Sequence, residues 1–278
     1  MKKLILAALV GVFFLQSCKK DQANDTQDQD VSQEEAESVI ASDKTTDDVL
    51  DMIDMYAADD IASRPGADTN KSFAHPQLPA CVTQTIVRNG TSATITWEFD
   101  ANGCLMPNGN TYSGTIVINR TFDMTNHTFS GAVAFDQFYV NDIQVAGGFD
   151  YVRVRSNANG HPQSTNNFDF TLSFPNGDVA QRAGTRVREM IQGFDTFRRD
   201  DDVFLVTGNS HIQFRNGTVV DAIIVTPLRR EIPCRYFVSG TINITKNGRT
   251  AVIDFGAGTC DNEATLTLPN GTVRVIHL

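Results

Sequence analysis

Five cysteines carry the most specific chemistry in this sequence. Cys18 ends an apolar N-terminal run, and the other four, Cys81, Cys104, Cys234 and Cys260, lie at the ends of strand-like segments. Their long spacings are unlike the CxxC pairs of structural zinc and redox sites. An even number of cysteines in an exported chain is typical of disulfide bonding, and four cysteines allow three pairings.

The hairpin turns of the sequence select one of these pairings. Asn247-Gly248 is the strongest short-range signal for a two-residue turn, and pairing the strands about it brings Cys234 beside Cys260. The two cysteines are then offset by one residue, which a bulge at residues 256–258 would absorb. The strands around Asn89-Gly90 likewise bring two cysteines together. The sequence therefore predicts two disulfides, Cys81–Cys104 and Cys234–Cys260.

Three arginines, Arg182, Arg186 and Arg188, share one face of a predicted strand. A basic row of this kind could hold phosphate or anionic sugars through paired hydrogen bonds. A two-residue turn at Asn176-Gly177 would place Arg182 opposite Thr171, on the side of the hairpin turned away from the phenylalanines. This register predicts an ordinary, solvent-exposed arginine ladder.

Other catalytic patterns are weak. Ser210-His211 joins a nucleophile to a base, but neighbouring strand residues point to opposite faces. The aspartates at 200–202 follow two arginines, which is typical of a self-neutralised loop. The sequence contains no phosphate-binding loop, GxSxG turn or HExxH helix. We therefore expect no catalytic residue, no metal site and no cofactor.

Residues 1–18 have the layout of a secretory signal, with two lysines and an apolar run from Leu4 to Leu15 that is too short to span a bilayer. The following Gln16-Ser17-Cys18 completes a resemblance to a bacterial lipobox, whose cysteine is acylated (palmitate and related chains) and becomes the first mature residue. We expect Cys18 to anchor the protein to a membrane without spanning it. Lys19, by resemblance to lipoprotein sorting rules, favours the outer membrane.

The next segments are acidic and helical. Residues 19–30 lack large aliphatic side chains and predict a flexible acidic tether. Residues 31–62 predict two short helices, the first capped by Ser32 with Glu35 and the second by Thr45 or Thr46. An apolar stripe on the second helix needs a partner surface, either the sheet or another protein. The aspartates lie mainly off this stripe and are predicted to be solvated: Asp47, Asp48, Asp51, Asp54, Asp59 and Asp60.

Charge separates this leader from the rest of the chain. Residues 19–70 hold 15 acidic and 4 basic residues, whereas residues 71–278 are close to neutral. A near-neutral domain argues against nucleic acid as a partner.

Residues 71–278 predict a β domain. Asn-Gly occurs eight times, which indicates a string of antiparallel hairpins. About a dozen strands with one apolar and one polar face predict an all-β fold. We expect a large curled antiparallel meander, barrel-like or sandwich-like, preceded by a short α-helical leader. Glycines inside successive strands suggest a line of curvature: Gly114, Gly131, Gly147, Gly184, Gly208 and Gly240.

Two long segments, ITWEFDANGCLMPNG and VIDFGAGTCDNEATLTLPNGTVRVIHL, resemble uncharacterised outer-membrane and surface lipoproteins of the Bacteroidota, as do the lipobox and acidic leader. The resemblance implies a cystine-linked β domain in the cell envelope and brings no catalytic residues. Surface export in that phylum is associated with a short acidic signal after the lipidated cysteine, which Lys20-Asp21 matches in part.

Three functions follow as hypotheses. The first is a non-enzymatic binding or scaffold domain with a glycan, apolar or protein partner. The second is a carrier that encloses an apolar ligand in the curled sheet, with a lining of Phe135, Phe168, Phe170 and Phe174. The third, a glycan-acting hydrolase, would need two carboxylates facing each other across a cleft.

Overall fold

The computed structural model describes residues 30–56, 78–196 and 200–278. These residues form one helix, α1 (Gln33–Tyr56), and thirteen strands in a single antiparallel sheet, in which each strand pairs with the next. The strands are β1 (Val82–Asn89), β2 (Ser92–Leu105), β3 (Thr111–Asp123), β4 (Thr128–Val140), β5 (Ile143–Val154), β6 (Gln163–Ser173), β7 (Val179–Gln192), β8 (Val203–Phe214), β9 (Val219–Glu231), β10 (Ser239–Lys246), β11 (Arg249–Ala257), β12 (Glu263–Thr267) and β13 (Val273–His277). The predicted all-β meander with a helical leader is confirmed, and the sheet stays open between its edge strands β1 and β13.

The helical leader is one helix, so the prediction of two short helices is wrong. Its start is as predicted, because the amide of Glu35 donates to Ser32 Oγ at 3.1 Å and the amide of Ser32 donates to a Glu35 carboxylate oxygen at 2.9 Å. The hydroxyls of Thr45 and Thr46 do not cap a second helix. They donate, at 2.9 Å each, to carbonyl oxygens four residues earlier, which keeps both threonines inside α1. Residues 57–62 of the predicted segment lie outside the described residues.

The sheet curls around α1 and buries it on nearly every side. From Ser42 to Asp54 every residue except the half-buried Lys44 is buried. Apolar side chains near the start of the helix, such as Val39, pack against β7 to β13, and those near its end, such as Ile53, pack against β1 to β6. The partner surface that the apolar stripe required is therefore the sheet of the same chain.

Turn type decides which face of each hairpin looks inward. At Asn247-Gly248 the predicted two-residue turn is confirmed, since Lys246 pairs with Arg249 and both turn residues have positive φ, 51° and 78°. The predicted bulge is also present, because the β10–β11 register shifts between Ser239 and Thr241.

At Asn176-Gly177 the predicted register is wrong by one residue. The amide of Phe174 donates to the carbonyl of Asp178 at 2.9 Å, so the loop holds three residues, with Gly177 in the left-handed region. A one-residue slip turns every side chain to the other face. Arg182 therefore lies opposite Phe170 and points into the core.

The hairpin at Asn216-Gly217 has the same three-residue loop, because the amide of Phe214 donates to the carbonyl of Thr218 at 2.9 Å. A two-residue turn, which Asn216-Gly217 predicts, would place Val219, Ile223 and Val225 on the inner face. These three residues are exposed, and Val220, Ala222 and Ile224 are buried in their place. This predicted register is also wrong, for the same reason.

The strand-interior glycines mark places where neighbouring strands approach closely. A Cβ at Gly114, Gly131, Gly147, Gly184, Gly208 or Gly240 would lie 2.0 to 2.6 Å from a carbonyl oxygen of the adjacent strand. Only glycine fits such positions without backbone displacement, and the line of curvature stays a prediction.

Both predicted disulfides are present. Cys81 is bonded to Cys104 and Cys234 to Cys260, with Cα–Cα distances of 5.5 and 5.4 Å. Each closes the open end of a hairpin, as the turn positions required.

Candidate functional site

The most concentrated chemistry in the described residues is an ion network between α1 and the inner face of the sheet. Four helix carboxylates meet five arginines of β5, β7 and β9, and this set is named the helix–sheet network: Asp43, Asp47, Asp51, Asp54, Arg153, Arg182, Arg186, Arg188 and Arg230. All nine are buried.

The spacing of these residues aligns the aspartates of α1 with the arginines of β7. Asp43, Asp47, Asp51 and Asp54 recur every three or four residues, so they form one stripe along the helix. Residues 182, 186 and 188 recur at even spacing on β7, so they share its inner face. Each turn of the helix thus meets a further arginine.

Asp43 holds the first part of the network. Its carboxylate accepts hydrogen bonds from both Arg182 and Arg186, and Arg182 Nη1 also donates to Ser42 Oγ at 3.1 Å. The two guanidinium groups lie over the ring of Phe168, 5.7 and 5.9 Å from its centroid. Burial alone would raise the pKa of Asp43, but the two adjacent cations outweigh burial and hold the pKa below its usual value.

Asp51 and Asp54 hold the second part. Asp51 accepts from Arg188 and from Arg230 Nε, the latter at 2.9 Å, and Asp54 lies 3.1 Å from Arg188 Nε and also binds Arg153. Burial would raise the pKa of Asp51, and the two arginines lower it below the usual value. A carboxylate whose pKa is lowered in this way stays ionised and is a poor proton acceptor.

Asp47 is the exception within the network. Arg186 Nε and Arg188 Nη1 come no closer than 3.9 and 3.8 Å, and neither carboxylate oxygen of Asp47 has a hydrogen-bond partner among the described residues. Burial therefore dominates and raises the pKa of Asp47 to about 7. A cavity of about 30 Å³ next to Asp47, also lined by Asp43 and Arg230, has room for about two water molecules.

These contacts overturn two predictions. Asp47, Asp48, Asp51 and Asp54 are buried and not solvated, while Asp59 and Asp60 lie outside the described residues. The three arginines of β7 do not form an exposed ladder, because the loop at residues 175–177 turns them inward. The combination that could have revealed this network is a helical aspartate stripe together with an alternating arginine row on a strand.

The remaining predicted site residues are placed as follows. Phe168 and Phe170 lie in the apolar core with Phe135 and Phe174 packed against it, and that core is shared with α1. Ser210 is buried, whereas its neighbour His211 is exposed and lies 2.8 Å from Asp221, so the two do not form a catalytic pair. Cys18, Arg198 and Arg199 lie outside the described residues.

A second concave feature lies on the outer face. It is an open groove of about 640 Å³ over β1 to β4, lined mainly by hydroxyl and amide side chains, and it is named the outer groove. Its residues include Asn89, Ser92, Thr94, Asn119, Thr121 and Ser130.

Comparison with known proteins finds no family to which this chain is similar. No family model, no curated protein and no solved structure matches the chain. Within the part of the chain that the structure describes, no helix is long and apolar enough to cross a membrane. No three His, Cys, Asp or Glu side chains of the described residues are placed to share a metal ion.

Proposed function

We propose that this chain is a non-enzymatic binding or scaffold domain of the cell envelope, held at the outer membrane by an acylated Cys18. The observation that carries the proposal is that the chain's own helix fills the concave side of the sheet. The face left free for partners is then the outer face. Two disulfides are in keeping with an oxidising compartment outside the cytoplasm.

The magnitude of helix burial favours this function over an apolar carrier. Emptying the concave side would expose Val49, Leu50, Met52 and Ile53, which are no more than 1% exposed. At about 1.5–3 kcal/mol for each side chain, this costs roughly 6–12 kcal/mol before any ion pair is broken. That cost is comparable with the whole stability of an ordinary domain, about 5–15 kcal/mol. α1 is therefore a core element and not a lid.

The chemistry of the buried charges supports a non-enzymatic function. Asp43 and Asp51 are each bound by two arginines, so neither is free to take a proton from a substrate. Asp47 has a pKa suited to acid–base work, but it is buried beside a cavity of about 30 Å³, which is too small for a sugar ring or a peptide.

Three measurements test the proposal. Labelled fatty acid should be incorporated into the wild-type protein and not into Cys18→Ala, and fractionation should place the wild-type protein in the outer membrane. Native mass spectrometry of residues 19–278 should give the mass of the disulfide-bonded chain alone. An apolar molecule that co-purifies in stoichiometric amount would instead support the carrier, with the four phenylalanines as its lining.

A further inference from the structure

The lateral register of the sheet places six outward-facing residues in one continuous row across β2 to β7. Successive strand pairings join them in the order Thr94, Asn119, Ala132, Asp150, Asn167, Thr185, and this set is named the outer row. All six are exposed or half-buried. The first three also line the outer groove.

The outer row contains the same hydrogen-bonded pair twice. The hydroxyl of Thr94 donates to Asn119 Oδ1 at 2.8 Å, and the hydroxyl of Thr185 donates to Asn167 Oδ1 at 2.8 Å. In both pairs the threonine occupies the amide oxygen and leaves the asparagine NH₂ group directed away from the pair, with two donors for a ligand. A hydrogen bond that fixes an amide in this way reduces the ordering cost of binding.

Between the two threonine–asparagine pairs lie a small apolar residue, Ala132, and a hydrogen-bond acceptor, Asp150. Ala132 leaves a shallow floor next to Asn119, and Asp150 follows it with an exposed carboxylate. The sequence of groups along the outer row is therefore donor, apolar floor, acceptor, donor. Hydroxyl groups alternating with C–H faces, as found in sugars, match this order.

The charge of the site indicates which sugars it can bind. The side chains that line the outer groove on the outer face carry no cation, since Arg120 points to the inner face and is buried. An anionic chain would meet Asp150 without a compensating charge and would be repelled. The row therefore suits a neutral ligand and not an acidic polysaccharide or a nucleic acid.

Size points to an oligomer. The groove volume, about 640 Å³, is within the usual range of ligand sites, and the groove is bounded on one side by the edge strand β1. Asn119 on β3 and Asn167 on β6 are three strands apart, roughly 14 Å at the usual strand spacing. One monosaccharide cannot reach both amides, whereas a short extended chain can.

We propose that the outer groove and the outer row bind a neutral glycan chain laid across β2 to β7. This inference rests on the proposed binding function and names its ligand class. Asn119 and Asn167 supply donors, Asp150 accepts from sugar hydroxyls, and Ala132 contacts a C–H face of the chain.

Affinity electrophoresis of the full chain in mild detergent tests the inference. The gels contain amylose, mannan or β-1,3-glucan as neutral probes and alginate as the anionic comparison. At least one neutral gel should retard the wild-type protein and alginate should not. Asn119→Ala and Asn167→Ala should each weaken the apparent affinity at least fivefold, and the double variant should migrate as in a gel without polysaccharide.

Asn243→Ala is the matched control, because Asn243 lies in the same lateral register on β10, beside Ile223 and Val252 and outside the proposed site. It should bind as the wild type does, and the fluorescence of Trp97, the one tryptophan of the chain, should show that every variant is folded.

Each alternative outcome separates the two proposals. The glycan site would be overturned if no neutral polysaccharide retarded the protein, if alginate alone did, or if both asparagine variants were retarded as strongly as the wild type. The binding function would still stand. Release of reducing ends from a retarding polysaccharide would overturn the non-enzymatic function and leave the glycan site in place.

Discussion

Replacing Asp43 by asparagine should lower the free energy of unfolding by about 3–5 kcal/mol, the usual cost of removing one partner from a buried ion pair. The structure gives the reason, since Asp43 is the carboxylate that binds both Arg182 and Arg186, and these guanidinium groups are no more than 1% exposed. Without it, Ser42 is the hydrogen-bond partner left to Arg182 among the described residues, and Arg186 keeps Asp47 at 3.9 Å.

Urea unfolding measures this cost. With a slope of about 3 kcal/mol per molar urea, the expected loss lowers the midpoint by about 1 M or more. Circular dichroism follows the sheet and helix, while fluorescence of Trp97 follows the end of α1, because Tyr56 packs edge-on against it at 6.5 Å. The two probes should shift together. The matched control is Glu37→Gln, an exposed carboxylate on the same helix, which should change the free energy by less than 0.5 kcal/mol, the usual range for surface substitutions.

A second variant separates lost charge pairing from lost packing. Asp43→Leu combined with Arg182→Met and Arg186→Met should regain most of the stability, since apolar groups of similar volume often replace a buried ion pair without loss. If Asp43→Asn behaves like Glu37→Gln, the aspartates are not docked against β7 and the explanation of the helix–sheet network is refuted.

Three further predictions concern pH, curvature and the disulfides. The pKa of Asp47 is raised from 3.8 to about 7, so the native state takes up a proton that the unfolded chain does not. The melting temperature should therefore fall as pH rises from 5 to 8, and Asp47→Asn should flatten this change; an unchanged slope in the variant would contradict the assignment. Gly184→Ala should destabilise by about 1–3 kcal/mol in urea, because the new Cβ would lie 2.2 Å from the carbonyl oxygen of Asn209, whereas Ala183→Ser on the outer face should be neutral. Replacing Cys234 and Cys260 together by alanine should cost about 3 kcal/mol in the same assay, and a thiol titration that found these cysteines free in the wild type would contradict the pairing.

Local signals predicted the elements that depend on local chemistry. The capping box at Ser32 and Glu35, the turn at Asn247-Gly248 and the disulfides all follow from residues close to one another in a hairpin or a helical turn. The all-β meander follows from the repeated turns in the same way.

The inner face of β7 could not be predicted from Asn-Gly alone. The same dipeptide ends the three-residue loop at residues 175–177 but forms the whole two-residue turn after Lys246. This difference of one residue changes which face of the following strand points inward. The hairpin at Asn216-Gly217 gives one warning in the sequence, because a two-residue turn there would place Asp221 among the inward-facing apolar residues of β9. In the structure Asp221 is exposed and pairs with His211, which agrees with the shifted register.

The burial of the α1 aspartates could not be predicted from sequence, because charge runs are usually solvated and the partners of these aspartates are far away in the chain. Asp51 binds arginines 137 and 179 residues further along the chain. Nothing within a local window of sequence shows that those arginines face inward.

We expect this sequence separation to influence the order in which the elements fold. α1 precedes every described strand in the chain, yet the arginines that pair with it belong to β5, β7 and β9. Such contacts between distant residues form slowly, because a long loop must close first. Until then we expect the charged aspartates to favour a hydrated, uncollapsed segment. We therefore expect α1, the first of the described elements to be synthesised, to be among the last to dock.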